Sequence, residues 1–167
     1  MGQVEFLSQN WTAEARQEFY TTSQGSRIMP YAWFMALEVS DSQDSFASVR
    51  LPELGYIANN QIVNNPDKLP VGFVRDINEI TKRDYIGLNC AACHTNQLSY
   101  QGKTFQIDGA PSLADMWGLL SGLDDSLKAT LNNADKFTRF ANKVLGQDAG
   151  NATATNKLKK ELSDFVK

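Results

Sequence analysis

Five consecutive residues, Cys90-Ala-Ala-Cys-His94, constrain this chain of 167 residues more than any other stretch, because they contain both of its cysteines and its only histidine. The spacing Cys-x-x-Cys-His is the attachment pattern of a covalently bound haem c. Two thiols one helical turn apart reach the two vinyl groups of one porphyrin, and the adjacent imidazole then lies beneath the iron. The motif therefore predicts one haem c, bound through Cys90 and Cys93 and ligated by His94.

Other uses of these residues explain less of the sequence. A structural zinc site needs four ligands, and the chain has no further cysteine or histidine to complete one. A thioredoxin-like redox pair is expected within a βαβ pattern, which the surrounding sequence does not show. A plain disulfide leaves His94 without a role. A redox-active thiol pair is the alternative to haem attachment.

Length and charge limit the class of protein. A chain of this length forms one domain, or one domain and a tail, with enough core to surround a cofactor. The net charge is -3 and the basic residues are scattered, so no nucleic-acid partner is expected. No stretch approaches the ~20 apolar residues of a membrane span, and no signal peptide is recognisable. Because haem c is attached outside the cytoplasm, a periplasmic or otherwise exported protein is predicted.

The apolar pattern predicts a mostly α fold, a cytochrome c-like haem domain with long irregular loops and a small β-hairpin that turns at Gln101-Gly102. Proline and glycine punctuate residues 51–74, which are expected to be irregular and to wrap the haem edge. The haem domain is assigned to residues 1–145, followed at 146–167 by a flexible break and a C-terminal amphipathic helix that would suit a linker. Helices are predicted at residues 12–20, 30–39, 46–50, 113–120, 126–145 and around 158–166.

The ligand on the other side of the iron decides the function. A second histidine is absent, and methionine is the usual alternative in electron-transfer cytochromes. The candidates are Met116, Met29 and Met35, although methionine on an apolar face is more often core filler. An iron that is open, or bound by water or another group, is therefore the second expectation.

Two further contacts of the haem are expected. Pro111 is the only proline after His94, and its carbonyl is the candidate acceptor for the imidazole Nδ1–H. Haem propionates need cationic or hydrogen-bonding partners. The candidates for that role are Arg27, Arg75, Arg83 and Lys103.

Several sequence segments around the motif are more characteristic of one protein family than the motif itself. They lie at residues 20–38 (YTTSQGSRIMPYAWFMALE), 69–73 (LPVGF), 89–95 (NCAACHT), 100–102 (YQG) and 107–111 (IDGAP). Together they resemble the N-terminal haem domains of the rubber-oxygenase-like branch of the di-haem cytochrome c peroxidase superfamily, over roughly residues 10–125. The resemblance implies haem attachment at Cys90, Cys93 and His94, and an approach of residues 24–34 to the distal face.

Members of that superfamily typically carry two haems in two domains, of which one binds peroxide or dioxygen and the other relays electrons. This chain has a single motif, which makes it either the first domain of a longer protein or a single-haem relative. The favoured function is a periplasmic mono-haem c-type cytochrome that carries electrons to a redox partner protein or a second haem domain. The alternative is a peroxidase- or oxygenase-like haem domain that binds peroxide or O2 at an open iron. Enzymatic activity is left open, because neither Glu38 nor Glu53 is marked as a distal acid–base group.

Overall fold

The computed structural model describes residues 4–60 and 65–167 and divides into two compact units. The chain crosses between the units three times, so neither is one continuous stretch. Part of the segment predicted to be irregular, residues 61–64, lies outside the described residues. The first unit comprises Met1–Ile28 and Gly55–Asp115, and the second comprises Met29–Leu54 and Met116–Lys167.

The fold is mixed α/β, and the prediction of a mostly α, cytochrome c-like domain is wrong. Of the described residues, 47% are helical and 18% are in strands, which form two small sheets. The strands are β1 (Val4–Phe6), β2 (Met29–Pro30), β3 (Phe73–Ile77), β4 (Asp84–Leu88), β5 (Thr95–Tyr100) and β6 (Lys103–Asp108). The α-helices are α1 (Ala13–Thr21), α2 (Tyr31–Ala36), α3 (Phe46–Glu53), α4 (Cys90–Cys93), α5 (Met116–Asn132), α6 (Ala134–Leu145) and α7 (Ala152–Phe165).

Strand β6 is the centre of one sheet in the first unit. It pairs antiparallel with β5 and parallel with β1. The predicted hairpin is present, and both turn residues have positive φ, 49° at Gln101 and 77° at Gly102, as a two-residue hairpin turn requires. The register places Thr95, the residue after the motif, opposite Asp108.

Strands β3 and β4 form a second antiparallel hairpin, which the sequence pattern did not predict. Its turn is held by Asn78, whose Oδ1 accepts hydrogen bonds from the backbone N–H groups of Ile80 and Thr81, each at 3.0 Å. Strand β4 ends at Leu88, two residues before the first cysteine. This hairpin therefore leads directly into the motif.

The motif is a short helix packed on the core of the first unit. Tyr20, Val71 and Ala91 form a buried cluster, against which Phe19 and Ile57 pack. Because Ala91 and its neighbour in the motif turn toward this core, the two cysteines lie on the opposite, exposed side of α4.

Gly72 permits a close approach of the chain to α4. A Cβ at this position would lie 2.0 Å from the backbone nitrogen of Ala92 and 2.5 Å from its Cα, and φ is +79°. We therefore expect Gly72→Ala to lower the free energy of unfolding by about 2–4 kcal/mol, since backbone strain and overpacking add. Urea denaturation with an unchanged m-value measures the loss.

The matched control is Gly102→Ala. Its φ is +77°, yet no atom lies within 4 Å of the added Cβ, so only backbone strain of about 1–2 kcal/mol is expected. An equal decrease in the free energy of unfolding for the two variants would show that the contact with Ala92 does not contribute to the cost of Gly72→Ala.

The second unit is built mainly from helices. The predicted break between residues 120 and 126 is absent, because α5 continues to Asn132. The chain breaks instead at Asn133, whose side chain caps α6 by accepting hydrogen bonds from the backbone of its first turn. Glu38 is 5% exposed and accepts two hydrogen bonds of 2.8 Å from Arg139. These bonds lower the pKa of Glu38, which keeps it charged and joins the segment after α2 to α6.

Among the described residues, no helix has the length and apolar character needed to cross a bilayer.

Candidate functional site: the Cys-x-x-Cys-His turn

The three reactive residues of the motif, its two cysteines and its histidine, present their side chains to solvent. Cys90 and Cys93 are free thiols at the two ends of α4, and His94 follows as its C-terminal cap. His94 is also exposed, whereas Ala91 and Ala92 are 1% and 5% exposed. The two alanines therefore lie on the buried side of the turn, and the three reactive side chains lie on its exposed side.

Asn89 fixes the start of the turn. It is 6% exposed, and its Oδ1 accepts the backbone N–H of Ala91 at 2.9 Å. Its amide donates to the carbonyls of Phe19 and Thr22 at the end of α1, at 2.9 and 3.0 Å. Its own backbone N–H donates to Gly72 at 2.9 Å. One buried side chain therefore ties the motif to α1 and to the chain before β3.

The surroundings of Cys93 differ from those of Cys90. The carbonyl of Cys93 accepts the backbone N–H of Ser112 at 2.8 Å, which holds the chain after β6 against α4. Tyr56 lies near Cys93 and Asp115, and its ring packs edge-on to Phe73 with centroids 4.8 Å apart. Burial, together with the negative charges of Cys93 and Asp115, raises the pKa of Tyr56 to about 12.

This pKa predicts an alkaline loss of stability. An unfolded tyrosine ionises near pH 10, so between pH 10 and 12 the unfolded chain releases a proton that folded Tyr56 retains. The free energy of unfolding is therefore expected to fall as pH rises through this window, by up to about 2–3 kcal/mol from Tyr56. Tyr56→Phe should reduce this slope in urea titrations of the reduced chain.

Tyr100→Phe is the control, because Tyr100 is 66% exposed and its loss should leave the slope unchanged. Tyr20 contributes in the same direction, since burial and the hydrogen bond to Asp108 raise its pKa. Some slope is therefore expected to persist in Tyr56→Phe. A slope identical to that of the unaltered chain would contradict the assignment to Tyr56.

His94 is positioned by its backbone. Its N–H donates to Cys90 at 2.9 Å, and its carbonyl accepts the N–H of Gly109 at 2.7 Å. The residue that follows it, Thr95, is 1% exposed, and its hydroxyl has no hydrogen-bond partner among the described residues. The imidazole is thus attached to a fixed backbone and remains accessible.

A buried polar network lies directly behind this backbone. The Asp108 side chain is fully buried, and its Oδ2 pairs with Arg16 Nε at 2.7 Å. Its Oδ1 accepts a short hydrogen bond from the Tyr20 hydroxyl, which in turn accepts the Gln106 amide at 2.6 Å. Gln9 bonds to the Asp108 backbone through both N–H and carbonyl. Because Asp108 precedes Gly109, this network fixes the strand end that holds His94.

The structure gives the contacts or the exposure of the other predicted haem residues. The Pro111 carbonyl accepts the side-chain amide of Asn96 at 2.8 Å. Met29 is 1% exposed, Met116 is 40% exposed and Met35 is 37% exposed. All three methionines belong to the second unit, whereas His94 belongs to the first.

The predicted propionate partners are engaged with protein groups. Arg27 pairs with Asp76, Arg75 with Asp84, and Lys103 with Glu5, while the Arg83 guanidinium lies over the ring of Tyr85. The candidate distal acid Glu38 is held by Arg139. The structure thus brings Cys90, Cys93 and His94 together, and it adds contacts from residues that the sequence pattern did not single out. These are Asn89, Arg16, Tyr20 and Asp108, while Gln24, which contacts Cys90, begins the stretch that the resemblance places near the distal face.

Comparison with known proteins gives one informative match. The chain is 31% identical, over an alignment of 184 positions, to the uncharacterized protein y4iJ of Sinorhizobium fredii (strain NBRC 101917 / NGR234). The alignment covers 98% of this chain and 30% of the relative, so the chain spans less than a third of that protein's length. No family model and no solved structure matches the chain.

These findings correct the identification made from the sequence. The assignment to the c-type cytochromes, and to the rubber-oxygenase-like branch of the di-haem cytochrome c peroxidase superfamily, is wrong. No family model supports it, and the relative is uncharacterized. Within residues 4–60 and 65–167, no group of three or more histidine, cysteine, aspartate or glutamate side chains could hold a metal ion. Classification of the chain as a cytochrome, haem or iron protein therefore finds no support in the structure.

Proposed function

We propose that this mixed α/β chain binds one haem covalently through Cys90 and Cys93, with His94 as a ligand to its iron, and carries electrons through it. The observation that carries the proposal is the exposure of both free thiols and the imidazole on one turn of α4. No disulfide joins the two thiols, and the one hydrogen bond that a described residue makes to these side chains, from Cys90 Sγ–H to Gln24, is exposed to solvent. The side chains present are those that haem c attachment requires.

Attachment needs no oxidant. Cys90 and Cys93 would hold the group: each thiol S–H would add across one vinyl double bond, forming a C–S bond and passing its hydrogen to the neighbouring vinyl carbon. The exposed face of α4 leaves both sulfurs open to this reaction, and Asn89 keeps the turn in place while it occurs. Because this attachment takes place outside the cytoplasm, the proposal includes export to the periplasm or an equivalent compartment.

The chain's own residues would hold the group. His94 presents its imidazole from a backbone that is held at both N–H and carbonyl, which fixes the point from which the ring leaves the chain. When bound, haem supplies reversible one-electron chemistry at its iron. A partner would be another redox protein or a second haem domain, and the net charge of -3 favours a basic contact surface on it.

A second candidate is a haem domain that binds peroxide or dioxygen. It is favoured by the burial of Met29 in the second unit, which removes one methionine from the accessible ligands. It is weakened by Glu38, since a carboxylate held by Arg139 is a poor distal acid. The electron carrier is therefore the function we propose first.

Absorption spectra of the ferric and ferrous protein, with and without carbon monoxide, test the proposal. A low-spin spectrum that carbon monoxide leaves unchanged is the expected result for an electron carrier. A high-spin ferric spectrum with rapid carbon monoxide binding would overturn it in favour of the second candidate. A protein that takes up no haem would overturn both.

A further inference from the structure

The two thiols of the motif have different hydrogen-bond environments. Gln24 Oε1 accepts hydrogen bonds from both the backbone N–H and the Sγ–H of Cys90, each at 3.2 Å. Within residues 4–60 and 65–167, Cys93 Sγ forms no hydrogen bond. Both thiols are exposed, so solvent access does not distinguish them.

The loop that carries Gln24 is anchored on both sides. Before it, the Thr22 carbonyl accepts the Asn89 amide at 3.0 Å, and Ser23 Oγ donates to Asp76 at 2.7 Å. After it, the Ile28 N–H donates to the carbonyl of Ile86 at 2.8 Å. The position of Gln24 over Cys90 is thus set by β3, β4 and the cap of α4.

We infer that Gln24 is a positioning residue that makes the thiols inequivalent: it holds the Cys90 Sγ–H and leaves Cys93 as the thiol that reacts first. Reaction at Cys90 requires loss of the S–H···O bond, whereas Cys93 has no such bond to lose. Applied to haem, the inference rests on the proposed function and assigns the first thioether to Cys93. The inequivalence itself belongs to the reduced, haem-free chain.

Iodoacetamide is the probe. The thiolate sulfur attacks the methylene carbon, a C–S bond replaces the C–I bond, iodide leaves and the thiol proton passes to buffer. With the full reduced chain, peptide mass spectrometry over time gives a separate rate for each cysteine. We expect Cys90 to react about two- to tenfold more slowly than Cys93, the factor for one neutral hydrogen bond.

Three variants identify the cause. Gln24→Ala should raise the Cys90 rate about two- to tenfold and leave the Cys93 rate unchanged. Gln24→Glu retains an acceptor oxygen and should leave Cys90 at least as slow as in the unaltered chain. Gln43→Ala, at an exposed glutamine of the second unit, should change neither rate.

The inference is overturned if Cys90 reacts as fast as Cys93, or if Gln24→Ala leaves the Cys90 rate unchanged. Parallel acceleration of both cysteines would also overturn it, because that result indicates a loosened loop rather than a lost hydrogen bond. Since no haem is present in this experiment, its outcome is independent of whether haem attaches. Failure of the proposed function and failure of this inference are thus separate results.

Discussion

Asp108→Ala is expected to lower the free energy of unfolding by about 3–5 kcal/mol, the range for removing one partner of a buried ion pair. Arg16 is 8% exposed, and its Nε lies 2.7 Å from Asp108 Oδ2. Without the carboxylate, a buried guanidinium loses its counter-charge and the Tyr20 hydroxyl loses its acceptor. Chemical denaturation of the full chain measures the change.

The control removes the carboxylate of an ion pair that lies at the surface. Glu79 and Lys82 lie 3.3 Å apart with side chains 88% and 73% exposed, so Glu79→Ala should cost at most about 1 kcal/mol. Asp108→Asn preserves the shape of the site and should fall between the two. A loss below about 1 kcal/mol for Asp108→Ala would contradict the view that this network holds the strand end behind His94.

The second large effect is expected at the thiols. Cys90→Ser and Cys93→Ser should each leave a single thioether, and the double variant should retain no covalent haem at all. The physical reason is that each sulfur forms one bond to one vinyl carbon, and the chain contains no third cysteine to substitute. The haem that remains with the polypeptide after acid–acetone extraction measures the effect.

Stability provides the control for these variants. Both cysteines are exposed, so serine should change the free energy of unfolding by no more than about 0.5 kcal/mol. Loss of haem would then report lost attachment rather than lost folding. Covalent haem in the double variant would place the attachment elsewhere and contradict the role of Cys90 and Cys93.

Local signals predicted some elements correctly. Thr12 caps α1 by accepting the N–H of Ala15 at 3.1 Å, as a threonine before an amphipathic segment indicates. The β5–β6 hairpin follows from the glycine in its turn. The β3–β4 hairpin was missed because its turn contains no Asn-Gly or Asp-Gly pair and places Lys82 at a φ of 55°. The absence of these two strands from the prediction is a main reason why the expected mostly α fold is wrong.

The candidate site was also predictable only in part. The spacing of the motif predicts three side chains on one turn, and the structure has them there. The network behind them joins residues far apart in sequence: Arg16 and Tyr20 reach Asp108 across 92 and 88 positions. Gln24 contacts Cys90 across 66 positions. The resemblance placed residues 24–34 near the haem, but it did not predict a hydrogen bond from the Cys90 thiol. Such pairings depend on tertiary packing, which hydrophobic periodicity does not encode.

Intact-mass spectrometry of the full chain under denaturing conditions shows whether the chain binds haem covalently. The protein should first be exported in a host that carries out haem c attachment, and then be unfolded so that only covalent bonds retain the cofactor. Covalent attachment through both thiols predicts a mass increase equal to one haem, located by digestion to the peptide that contains Cys90 and Cys93. An unmodified mass, with both cysteines recovered as free thiols or as a disulfide, would contradict it.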